Sequence, residues 1–244
     1  TLKGRVLLLD FGLLLLILRV GVYESGIYEN IKKQSSVAKG NFWILFTQKD
    51  RFFRYLKCVL CGVPIWFVIG ILISLSKEFA VALNIIGEVK PSEAVMFCYA
   101  GLVVGDFVSG YLSQQFHNRK KVLTSFILLT AVLVTIYFQM FNQSVSSFYA
   151  LSFALGIATG YWALFVSIAA EQFGTNIRAT ATTTIPNLVR GSLWLVSSIF
   201  VYLKPYFGLL DAALLVGLTT ILLAFISAIT LEETFGRDLE FTEE

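Results

Sequence analysis

The sequence predicts an all-α membrane protein of about seven transmembrane helices, the last six of which form one bundle. Hydrophobic residues make up 57% of its 244 positions and charged residues only 14%, against roughly 25% charged in soluble domains. Mean hydropathy is +0.76. Runs of about 20 apolar residues, the length that crosses a hydrocarbon core as a helix, recur at short intervals. They are too long and too continuously apolar for the alternating strands of a membrane barrel.

The first run covers about residues 5–22 and starts almost at once, without a basic leader, a short core and a cleavage site. The chain opens on Thr1 rather than Met. It therefore reads as starting inside a longer protein, with 1–22 the last helix of a preceding N-terminal bundle. Residues 23–56 form the longest non-membrane stretch, expected to be a central loop between two bundles. Six further spans follow at about 57–76, 94–114, 122–141, 148–170, 181–203 and 211–231, making 57–231 a C-terminal bundle and 232–244 a tail.

Charge orders these segments across the bilayer. The central loop carries Lys32, Lys33, Lys39, Lys49, Arg51 and Arg54, and another loop carries Arg119, Lys120 and Lys121. The intervening loops are acidic, uncharged or short. The positive-inside rule then puts both basic loops and the tail in the cytoplasm of a multi-pass cell-membrane protein. The basic loop is thereby assigned to the membrane surface, so the expected partners are the lipid bilayer, a small-molecule substrate and the missing N-terminal half, with no nucleic acid.

Cys58, Cys61 and Cys98 all fall inside spans, and Cys58-x-x-Cys61 lacks the strand-turn-helix setting of a redox motif, so packing is expected. His117 is the single histidine, and no metal or cofactor site follows from it. An enzyme would want a convergent His, Asp or Glu set, which the sequence does not offer.

Several motifs sit at the ends of spans. Gly101-Leu-Val-Val-Gly105-Asp106 continues through Ser109-Gly110 to Asn118-Arg119-Lys120-Lys121, and Glu171-Gln-Phe-Gly-Thr175-Asn-Ile-Arg178-Ala-Thr180 follows the span at 148–170. Tyr23-Glu24-Ser25 and Leu231-Glu232-Glu233-Thr234-Phe-Gly236-Arg237 flank the bundle. This set resembles the loop signatures of the major facilitator superfamily, in its sugar, organic-ion and metabolite porters. Several prolines of those signatures are absent here. The resemblance spans the whole chain, as the sixth helix, the central loop and helices seven to twelve. It implies a transporter half, with gating roles for Glu24, Asp106, Arg119, Glu171, Arg178, Glu233 and Arg237. Asp106 is expected at the cytoplasmic end of its helix, clamping neighbours together with Glu171 and Arg178 through charge-assisted hydrogen bonds and a helix dipole, with plain marking of the membrane-water boundary as the alternative.

Arg190 is the sharpest signal, because it falls near the middle of an apolar span, where a charge costs about 2.5–3.5 kcal/mol on insertion scales and faces a cavity or a partner. Thr183, Asn187 and Trp194 share its helical face. An Arg there also resembles the organic-anion branch, which implies that Arg190, with Asn187 and Trp194, binds an anionic substrate. A structural ion pair with the missing half is the alternative. Trp66, Tyr99, Tyr161 and Trp162 are further cavity candidates, each open to a plain packing role. Asp10 in the first span reads as an interface residue. Gly156-x-x-x-Gly160 is a close-packing pattern.

The expected function is secondary active transport of a small polar or anionic metabolite by alternating access, as a proton symporter or an exchanger. A transporter-like sensor and a membrane-embedded enzyme are the alternatives.

Overall fold

The computed structural model describes residues 42–238 and 240–243. The span expected at 5–22 with Asp10, the Glu24 motif and the first part of the central loop lie outside them. Among the described residues every regular element is helical, and the β-type pairing is an isolated bridge, Ile86 with Ser144.

A short turn α1 (Ile44–Thr47) precedes α2 (Lys49–Phe67), which runs on through a π-helical turn, Val68–Ile73. There follow α3 (Ser76–Ala82), α4 (Pro91–Gln115), α5 (Arg119–Tyr137), α6 (Val145–Thr159), α7 (Trp162–Glu171) and α8 (Thr175–Thr230). Five stretches are long and apolar enough to cross a membrane: Lys49–Ile73, Pro91–Gln115, Arg119–Tyr137, Val145–Glu171 and Thr175–Thr230. With large apolar side chains such as Phe107, Leu128, Val132 and Leu222 on the outside, the protein is an all-α membrane protein whose outer solvent is lipid.

Local chemistry sets the element boundaries. Pro91 opens α4 with Glu93 in its first turn, as the missing proline N–H and the helix dipole favour. Asn118 caps α5 by accepting from Lys121 N at 2.8 Å, and Ser144 caps α6 by accepting from Ser147 N at 3.2 Å. Inside α2, Pro64 removes a ladder hydrogen bond. The wide turn after it is buried except at Gly70, and Tyr137 Oη donates to the Leu72 carbonyl there at 3.1 Å.

Two boundaries differ from the sequence expectation. α2 begins at Lys49 rather than near 57, because Arg51 and Tyr55 are buried against the bundle and helix continues through the basic residues. α8 is 56 residues long, about 84 Å at 1.5 Å per residue, far beyond a hydrocarbon core of about 30 Å. It is broken at Gly208, whose φ of 80° and ψ of 176° are non-helical and belong to glycine. The break falls inside the short turn expected at 204–211, and a single residue, Gly208, separates the two arms.

Two helix pairs dominate the packing, α4 with α6 and α2 with α8. The buried stripe of α4 is Ala94, Cys98, Gly101, Gly105, Ser109 and Ser113, small at every step. Gly101 lies on the Phe153 carbonyl, Gly156 on the Cys98 carbonyl, and Gly105 against Gly160, so the backbones themselves touch. The α2–α8 seam is built differently: Gly62 meets the Val189 methyls, Gly70 meets Leu193 and Gly217 meets the Phe67 ring.

Candidate functional site

The span Val145–Glu171 is discontinuous. α6 ends at Thr159 with Gly160 as its C-cap, and Tyr161 leaves the helical region before α7 starts at Trp162. The close approach of Gly105 to Gly160 brings the next residue of α4, Asp106, to this break. Its Oδ1 accepts from Ala163 N at 3.0 Å, capping α7. The helix-start dipole and the carboxylate complement each other well inside the span.

Arg190 arrives from α8. Its guanidinium lies 5.5 Å from the Trp162 ring centroid. Trp162 meets Trp66 of α2 edge to face at 6.3 Å and Phe165 at 5.5 Å. The Trp66 Nε1 is buried with no hydrogen-bond partner. Arg190, Asp106, Trp162 and Trp66 therefore converge from four elements on one helix start. This cluster joins a cation, a carboxylate and two indoles.

The other expected substrate residues divide. Asn187 shares the exposed face of α8 with Arg190, but its Nδ2 donates to its own helix at Thr183 O, 3.0 Å away. Trp194 is 77% exposed and Tyr99 is also exposed on α4. Tyr161 does not belong with them: it is fully buried, and its hydroxyl donates to the Cys61 carbonyl at 3.1 Å. The cysteines are free and buried.

The expected clamp is rearranged. Asp106 is nine residues before Gln115, the end of α4, about 14 Å inside, so it is not at the helix end and does not join Glu171 and Arg178. Glu171 instead pairs with Arg119 at 2.7 Å. Glu233 caps α5, accepting from Arg119 N at 3.0 Å and Lys120 N at 2.9 Å. Burial alone would raise the Glu233 carboxyl, but its four backbone N–H donors outweigh that and hold it below the usual range. Arg178 Nε donates to the Ala170 and Phe173 carbonyls at 3.2 and 3.1 Å, closing the end of α7. Arg237 reaches Glu232 at 3.3 Å.

A second charged cluster on this face, Arg51, Arg54 and Glu243, was not apparent from the sequence. Its one trace is the spacing of Arg51 and Arg54 three apart, one helical face, within what reads as a generic basic loop.

No family model, curated protein or solved structure matches the chain.

Proposed function

We propose that the chain is the C-terminal half of a major facilitator type carrier, moving a small organic anion across a membrane by alternating access. The observation that carries this reading is the seat of Arg190, stacked on Trp162 at the start of a broken helix. Broken spans with half-helix termini near the midplane are a recurrent way for secondary transporters to build polar sites without leaving backbone groups exposed to lipid. The loop motifs and the basic face formed by the starts of α2 and α5 support the same reading, with that face cytoplasmic.

In this reading Arg190 receives the anionic group, Trp66 and Trp162 flank the apolar body, and Asp106 holds the helix start that presents Trp162. The Arg119–Glu171 pair and the Glu233 cap close the basic face. The substrate must leave when that face opens, which requires these contacts to exchange for water.

Reconstituted uptake tests the proposal. The chain combined with its N-terminal half should accumulate or exchange labelled small organic anions, and the chain alone should not. Turnover by this chain alone in liposomes, or an absence of uptake for every anion from the complete protein, would sink it.

A further inference from the structure

Past the end of α8 the described residues return across the face on which α2, α5 and α8 begin, and the Glu243 side chain sits in an ionic seat there. The Glu243 carboxylate meets Arg51 Nε at 2.8 Å through Oε2 and an Arg54 terminal nitrogen at 2.9 Å through Oε1. Oε1 also accepts from Gly174 N at 3.3 Å, at the start of α8. The backbone is read as well. Asn176 Nδ2 donates to Glu243 O at 2.8 Å, Asn176 Oδ1 accepts from Glu243 N at 3.0 Å, and Thr175 N donates to Phe241 O at 2.8 Å.

The pattern is the one by which proteins bind extended acidic peptides: a guanidinium pair for one carboxylate and paired main-chain hydrogen bonds for the flanking residues. The seat is built, with the side chain of Arg51 3% exposed and that of Glu243 8% exposed. A guanidinium this dry favours a carboxylate strongly over a neutral group. Gly174 is required, since a Cβ there would sit 2.7 Å from Glu243 N. The occupant is held differently from the seat. Asp238, Glu240 and Thr242 are exposed, no regular element runs through 232–238 or 240–243, and the Phe241 ring rests on Arg237 and Arg178 at 4.7 and 5.9 Å rather than in the apolar core.

We propose that Arg51, Arg54, Gly174 and Asn176 form a docking cleft for an acidic extended peptide segment, filled in cis by 241–243, so that this segment is an exchangeable fastener between the starts of α2 and α8. The two helix starts lie more than a hundred residues apart in the chain. Filling the cleft ties them together at one membrane face, and emptying it releases them, whether or not the protein carries a solute.

Hydrogen exchange on the complete protein in detergent tests this, with the amides of Thr175 and Glu243 as reporters. Glu243→Gln should accelerate their exchange by at least about tenfold, the factor a charge-assisted hydrogen bond supplies, while the α4 and α6 amides stay as they were. Arg54→Gln should act in the same direction, and the double variant should add little. A synthetic peptide covering residues 237–243, added to the Glu243→Gln protein, should slow exchange at Thr175 again, and the same peptide with Gln at the Glu243 position should not. Unchanged exchange in both single variants, acceleration shared by α4 and α6, or equal or absent protection by the two peptides would each overturn the cleft.

Discussion

Arg190 and Asp106 meet the chain at consecutive residues: the guanidinium lies 5.5 Å from the Trp162 centroid, and the carboxylate accepts from Ala163 N at 3.0 Å. A cation and an anion from two different helices are thus both spent on one helix start, and neither is supplied by the helix that breaks.

Arg190→Lys keeps the charge but loses the planar fork and the flat stacking surface. In the complete protein, anion uptake should fall about tenfold or more at normal membrane levels, with Arg190→Ala lower still. Uptake of a neutral analogue should change less. Equal loss for charged and neutral solutes would remove Arg190 from substrate binding.

The glycine seam should be intolerant. Gly105→Ala would drive a Cβ into the Ile157 carbonyl and Gly160, an overpacking cost of about 1–3 kcal/mol, read as a lower thermal midpoint in detergent. Gly110→Ala and Gly191→Ala, with nothing within 4 Å of the added Cβ, should be neutral or stabilising by up to about 1 kcal/mol. Equal effects at all three sites would mean that helix propensity, not the seam, decides.

Arg119 and Glu171 form a part-buried pair at 2.7 Å, so removing both should cost less than the sum of the single changes, with a coupling of about 1 kcal/mol. Asp106 with Glu171 should be additive, because α7 separates the two. A coupling between Asp106 and Glu171 as large as that between Arg119 and Glu171 would contradict this arrangement.

Glu233 gives a pH dependence of known sign. Its folded pKa is lowered, so its stabilising share is complete above the unfolded glutamate value of about 4.3 and is lost as pH falls through the lower folded value. Melting midpoints of the native protein and Glu233→Gln should therefore differ near pH 6 and converge as the medium is acidified below about pH 4. A gap that widens on acidification would reverse the assignment.

Cysteines introduced at Asp50, Lys120 and Asp238 should react with an impermeant thiol reagent from the same side of sealed vesicles, because α2, α5 and the segment after α8 meet through Arg54–Glu243 and Glu233–Arg119. Labelling from opposite sides would break the topology.

Hydropathy made the spans of the described residues legible, because lipid selects apolar length, and Gly156-x-x-x-Gly160 marked α6 for close packing without naming α4 as its partner. Arg190 was legible because a mid-span charge is costly. The partner of Asp106 was not, since a carboxylate that caps a backbone N–H has no complementary side chain to find, and its depth depends on a helix that runs from Pro91 to Gln115. Tyr161 reads like its neighbour Trp162, yet the break at Gly160 turns one inward to Cys61 and the other toward Arg190. The α2–Glu243 contact joins residues almost two hundred apart, which no local pattern records.

The two seams differ in stiffness. α4 and α6 touch through carbonyls and glycine Cα atoms, which have no rotamers to change, so a slide of a fraction of the 1.5 Å residue rise would press backbone into backbone. α2 and α8 touch through Val189, Leu193 and Phe67, whose torsions can hop between wells. The first pair is therefore the stiffer of the two seams and carries the Asp106 cap with it, and the second is the more compliant.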